Sequence, residues 1–157
     1  MKLVLLQTGK TTDVSITDIA SLYASRISRY NSFEIITVPD LKNTKSMPVE
    51  EQKQREGERI LQLIKQDDYV VLLDEHGKEM RTMEFAAWLG RTFMLQKKRV
   101  CFVTGGAWGF ADDVYSRADN KLSLSKMTFP HQLVRLLFLE QLYRAFTIIK
   151  GDPYHHE

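Results

Sequence analysis

Three short segments carry the groups that could do chemistry in this 157-residue chain: Leu73-Asp74-Glu75-His76-Gly77, Gly105-Gly106-Ala107-Trp108-Gly109, and LSKMTF at 124–129. Each follows an apolar run that reads as a strand, and ligands of α/β sheets collect outside the carboxyl ends of strands. Glycines let a backbone approach a ligand closely. The third segment places Ser125, Lys126 and Thr128 at the lip of a helix, with no acid among them.

The spacings exclude several chemistries. The glycines do not follow G-x-G-x-x-G, and no Gly-Lys-Ser/Thr follows them, so dinucleotide and P-loop fingerprints are absent. No G-x-S-x-G surrounds a serine. With neither H-E-x-x-H nor C-x-x-C, no metal site is expected. Asp74, Glu75 and His76 are consecutive and read as a surface turn. A tight turn is likewise the plain reading of Gly105-Gly106, and a solvated turn that of Lys97-Lys98-Arg99. His131 follows Pro130 in the first turn of a helix, where capping or packing stands beside a functional reading. Tyr154 and His155 are less easily dismissed. Tails are usually polar and poorly ordered, whereas a Tyr-His pair could stack on or hydrogen-bond to a nucleobase.

The elements that must position these groups alternate. Strands are expected at 2–8, 33–38, 69–74 and 100–104, with a short fifth at 121–125. Between them, Ile16, Ile19, Ala20, Tyr23, Ile27 and Tyr30 recur at helical spacing, with Asp13 or Ser15 near the N-cap. Pro48 suits the first turn of a second helix, and Thr82 can cap a third carrying Phe85, Trp88, Leu89 and Phe93. After VTGGAWG comes a polar connection, and the last helix is expected at 129–149. Strand–helix alternation implies an α/β domain around a mostly parallel sheet.

Composition narrows the class. Apolar residues make up 43% and charged residues 27%, ordinary for a soluble domain, and the length suits a single domain over 1–157. A net charge of +2 allows an anionic partner only through a local patch. Cys101, within an apolar run, reads as a core residue in a reducing compartment. The apolar start is too short for a secretion signal, and the last helix carries Arg135, Glu140 and Arg144, so no membrane span is expected and a cytoplasmic location is. That helix is otherwise apolar on nearly every side, which implies burial on two sides, either by the domain or by a second subunit; in so short a chain the second subunit is favoured, and a homodimer is expected.

Together, LSLSKMTFPHQLVRLLFLEQLYRAFTIIKGDPYH resembles the C-terminal signature of the ribosomal RNA large subunit methyltransferase H family, the small pseudouridine N3-methyltransferases of the SPOUT class. The resemblance extends to Thr8-Gly9-Lys10, to Glu56-Gly57-Glu58-Arg59-Ile60-Leu61 and to VTGGAWG, and so covers essentially the whole chain. It implies a mostly parallel α/β sheet with a C-terminal trefoil knot, a homodimer, and S-adenosylmethionine as methyl donor. Carried over by motif position, the donor contacts are Leu73, Gly105, Leu124, Ser125, Lys126, Met127, Thr128 and Phe129. The implied reaction is methylation of N3 of a pseudouridine in helix 69 of 23S rRNA on assembled ribosomes. His131, Tyr154 and His155 are then the candidates for handling the N3 proton. Arg135, Arg144, Tyr154 and His155 are candidates for contact with RNA. Two other readings compete: a non-catalytic ribosome-associated binding protein, and a SPOUT methyltransferase acting on tRNA.

Overall fold

The computed structural model describes residues 1–156; Glu157, the last residue of the expected domain, lies outside them. Five strands form one wholly parallel sheet: β1 (Lys2–Thr8), β2 (Phe33–Val38), β3 (Tyr69–Glu79), β4 (Arg99–Thr104) and β5 (Asn120–Ser123), in the order β2-β1-β4-β3-β5. The helices are α1 (Val14–Ser28), α2 (Val49–Leu63), α3 (Thr82–Thr92), α4 (Asp112–Arg117) and α5 (His131–Lys150). Successive strand residues point to opposite faces, and both faces of this sheet are covered. Leu3, Leu5, Val71, Val100 and Phe102 pack with Ile27 of α1, Phe85 and Leu89 of α3, and Phe138, Leu139 and Leu142 of α5. Val4, Leu6, Val70, Leu72, Cys101 and Val103 pack with Ile60 of α2 and Val114 of α4.

That arrangement changes the reading of the last helix. Phe138, Leu139, Leu142, Ala145 and Phe146 of α5 are buried, and α5 lies against both α1 and α3 as well as the sheet. Its apolar flanks are therefore largely covered within one chain, and the sequence-based reason for a second subunit loses most of its force.

Local signals fare unevenly. Asp13 caps α1 as expected, its carboxylate accepting from the amides of Ser15 and Ile16. Thr82 does not cap α3: Arg81 takes the N-cap, its amide donating to Glu84 at 2.8 Å. Thr82 instead donates its hydroxyl to Gln141 at 3.1 Å. The polar connection after strand four contains α4, too short to announce itself by periodicity. Arg99 leaves the solvated turn expected for it and is 8% exposed, held in an ion pair by Asp68. Cys101 is 1% exposed and burial pushes its thiol up to about 12, so it stays protonated.

Candidate functional site

The carboxyl ends of β3 and β4, the segment after β5 and the start of α5 enclose a cleft of about 610 Å³, with a smaller recess of about 130 Å³ sharing its wall. Leu73, Gly105, Thr128 and Phe129 line the cleft, and Leu73, Leu124, Ser125, Met127, Thr128 and Phe129 line the recess. Three segments far apart in sequence thus meet at one place. Lys126 is absent from both linings.

The wall after β5 is shaped by its own hydroxyls. Ser123 Oγ donates to the Ser125 carbonyl at 3.0 Å, and the Met127 amide donates to Ser125 Oγ at 2.9 Å. Serines often hold backbone in this way outside regular structure. Here both help to fold residues 123–127 back on themselves. This accounts for the serines at the helix lip.

The opposite wall is held from α2. The Gly106 amide donates to Glu56 Oε1 at 3.1 Å, and Trp108 Nε1 donates to Gln52 Oε1 at 3.3 Å. A Cβ at Gly106 would sit 2.7 Å from Glu56 Oε1, so the glycine is what lets the carboxylate reach the amide. Burial raises the Glu56 pKa, the Gly106 bond opposes that, and the Asp40 charge adds to the rise.

Asp74-Glu75-His76-Gly77 corrects the surface-turn reading. It is a bulge inside β3: Leu122 of β5 pairs with both Leu73 and Lys78, and the four residues between loop out beside the cleft. Gly77 permits this, since a Cβ there would lie 2.7 Å from Leu122 backbone atoms. The Asp74 side chain is only 6% exposed. Burial pushes its pKa up, but hydrogen bonding from Tyr115 and from the His76 amide outweighs this and leaves it below its ordinary value. Asp74 Oδ2 is sealed from solvent without a well-formed hydrogen bond, as is Thr104 Oγ1; both residues line the cleft. The acids missing from 124–129 are thus supplied by Asp74, Glu75 and Asp112.

His131 opens α5 and lines the same cleft. Burial and then the nearby Arg135 charge lower its pKa, against an upward pull from Asp40, which favours the neutral ring. The other candidates lie elsewhere. Arg135 is 1% exposed and donates to the Thr8 carbonyl and to Thr11 Oγ1; such a buried guanidinium does not fit the expected RNA-facing role. Tyr154 and His155 follow the far end of α5, whose 20 residues span roughly 30 Å at 1.5 Å each. There Tyr154 donates to Glu140 at 3.3 Å, His155 Nδ1 lies 3.3 Å from Arg144, and the Arg144 guanidinium sits 4.7 Å from the Tyr154 ring centre. Sequence reasoning missed Lys53, Asp112, Tyr115 and Val134, which also line the cleft. No motif marks them; only helix packing brings them there.

A wholly parallel α/β sheet with its cleft at the strand carboxyl ends defines a ligand-binding class. Within that class, the family described as "Predicted SPOUT methyltransferase" matches residues 1–155. The chain belongs to the SPOUT methyltransferase family. It is 48% identical over 157 residues to the ribosomal RNA large subunit methyltransferase H of Bacteroides thetaiotaomicron, covering 100% of both chains. To the protein of that name from Phocaeicola vulgatus it is 49% identical, again over the whole of both chains. Among solved structures, a probable methyltransferase from Bordetella pertussis superposes with a TM-score of 0.55 at 11% identity, over 92% of this chain and 96% of that one. A methyltransferase from Legionella pneumophila, solved with bound SAM, gives 0.50 at 12% identity over 90% of this chain and 65% of that one. At such identities these two structures speak for the fold alone. Among the described residues no helix is long and apolar enough to cross a membrane.

Proposed function

We propose that this chain is a single methyltransferase domain that moves the methyl group of S-adenosylmethionine to N3 of a pseudouridine in helix 69 of 23S rRNA, on assembled ribosomes in the cytoplasm. The observation that carries the reading is the convergence of Leu73, Gly105, Thr128 and Phe129 on one cleft, with Leu124, Ser125 and Met127 in the recess beside it, in a chain 48% identical over its full length to a ribosomal RNA large subunit methyltransferase H. The cleft suits the donor. Its volume of about 610 Å³ falls in the usual range for small-molecule sites. Asp74 and Thr104 line it, and Leu124, Ser125, Met127, Thr128 and Phe129 line the recess that shares its wall.

When bound, S-adenosylmethionine supplies an electrophilic methyl carbon. The residues that would hold it are Leu73, Gly105, Leu124, Ser125, Met127, Thr128 and Phe129, which leave the remainder of the cleft to the nucleotide; Lys126, in neither lining, drops out of the set. Alignment of two reactants can account for several kcal/mol of a barrier, and rigid strand ends supply it here. N3 must lose its proton as its bond to carbon forms. We assign the acceptance of that proton to His131, which lines the cleft and whose lowered pKa favours the neutral ring.

Tyr154, His155 and Arg144 cannot serve that cleft from the far end of their own α5, so the reading includes a homodimer in which a second copy presents its tail. Ile19 and Leu22 on α1 are 44% and 48% exposed, which suits coverage by another subunit. The test is mass spectrometry of 23S rRNA fragments from a deletion strain, before and after treating its ribosomes with protein and donor. The expected outcome is one added methyl on the pseudouridine. Activity confined to tRNA would transfer the reading to another SPOUT substrate. No methyl on any RNA, with no donor-dependent rise in melting temperature, would leave a binding protein.

A further inference from the structure

Trp108 is a bulky aromatic left 55% exposed at the lip of the cleft, on a loop with little freedom. Gly106 and Gly109 pair across the loop, with the Gly109 amide donating to the Gly106 carbonyl at 3.3 Å. One face of α2 secures it twice, through Glu56 to the Gly106 amide and through Gln52 to the indole nitrogen. The second bond fixes the edge of the indole, and among the described residues no ring contact with another aromatic side chain involves it. Lys53, next to Gln52 on α2, lines the same cleft with its side chain 25% exposed and only a loose pair to Glu50 at 3.7 Å.

Resting on the function proposed above, we infer that Trp108 is a preset stacking platform for an unpaired nucleobase of the RNA substrate, with Lys53 facing the adjoining phosphate. Every base offers a π-face, and stacking on an exposed aromatic is a common way to hold single-stranded nucleic acid. The surroundings favour stacking over charge. Asp74, Glu75 and Asp112 line the cleft and repel phosphate, and the chain's net charge is only +2. A contact through a ring face is indifferent to both. Burying the indole under a base also removes from water a large apolar surface that the fold has left uncovered.

Two measurements test this. In steady-state methyl transfer on ribosomes from the deletion strain, Trp108→Ala should raise KM for ribosomes about tenfold, the size of one lost stack, with kcat and KM for the donor held. Trp108→Phe should retain most of the affinity, whereas Trp108→Leu, apolar but without a ring, should behave as Ala. An unchanged ribosome KM in Trp108→Ala, or a Leu variant as good as Phe, overturns the platform. The second measurement does not depend on catalysis. With Trp88→Phe, Trp108 is the one remaining tryptophan of the two, and a short single-stranded oligouridylate should quench its emission while a duplex of equal length does not. Quenching by neither, or equally by both, overturns the platform. Quenching by the single strand without any methyl transfer would sustain it and count against the proposed reaction instead.

Discussion

The two walls of the cleft are built by opposite means. The wall at 123–129 is stiffened from within, by Ser123 and Ser125 bonding to backbone two residues away. The glycine wall at 105–109 is stiffened from outside, by Glu56 and Gln52 reaching across 50 and 56 residues of chain. A turn that folds on itself keeps its shape if its neighbours shift. A loop pinned by a distant helix keeps its shape only while that helix stays docked. The lesson is that donor-facing and substrate-facing surfaces of one cleft can respond differently to the same perturbation.

The sharpest test of the division is His131, at the junction of the self-folded wall and α5. His131→Ala should lower kcat by about a hundredfold with donor affinity held, read by single-turnover transfer. Since the neutral ring accepts the proton, wild-type activity should fall as pH drops through a value below the ordinary 6.5. That acid limb should vanish in the variant.

Two glycines separate rigid from yielding contacts. Gly77→Val would drive carbon into Leu122 backbone from 2.7 Å and should cost about 3 kcal/mol in urea unfolding. Gly106→Ala meets only the movable end of Glu56, so its cost should be near 1 kcal/mol, the value of the bond it disturbs. Equal losses would mean that the Glu56 tether is as unyielding as strand backbone.

The carboxylates beside the walls should pull stability in opposite directions with pH. Asp74 has a folded pKa below its ordinary 3.8. Its charge therefore stabilises the fold above pH 3.8, and this is lost as pH falls through the lower folded value. Glu56 has a folded pKa above 4.5, so the fold loses stability as pH rises from 4.5 through the raised value. Asp74→Asn should weaken the protein at neutral pH, and Glu56→Gln should remove the loss above pH 4.5; paired urea melts across pH check both. The smallest effect belongs to Ser125→Ala, about 1 kcal/mol for one bond, with weaker donor binding by calorimetry and an unaltered ribosome KM.

Much of this was legible beforehand. Strand positions followed from apolar runs, and the three strand-end segments from the tendency of sheets to bind ligands there. The bulge that residues 74–77 form inside β3 was not. A bulge has no periodic signature, and the clue, a glycine that must pass Leu122 backbone, needs the partner strand. Lys53 and Tyr115 were hidden for a similar reason, lying on helices whose docking no local pattern specifies. Tyr154 and His155 were picked for composition alone, and the length of α5 then carried them away from the cleft of their own chain.

The grip of α5 on the start of the chain has a consequence during synthesis. Gln132 holds the amides of Thr12 and Asp13 at 3.0 and 3.3 Å, and Arg135 holds Thr8 and Thr11. While the chain is still emerging, Leu3, Leu5 and Phe102 have no α5 to cover them, because the residues that will do so are translated after them. Completion of that layer thus waits for residues 131–150, with a long loop to close. A nascent chain stalled before residue 131 should bind chaperones strongly and resist protease poorly, whereas the finished protein gains both cover and a closed amino-terminal loop in a single docking step.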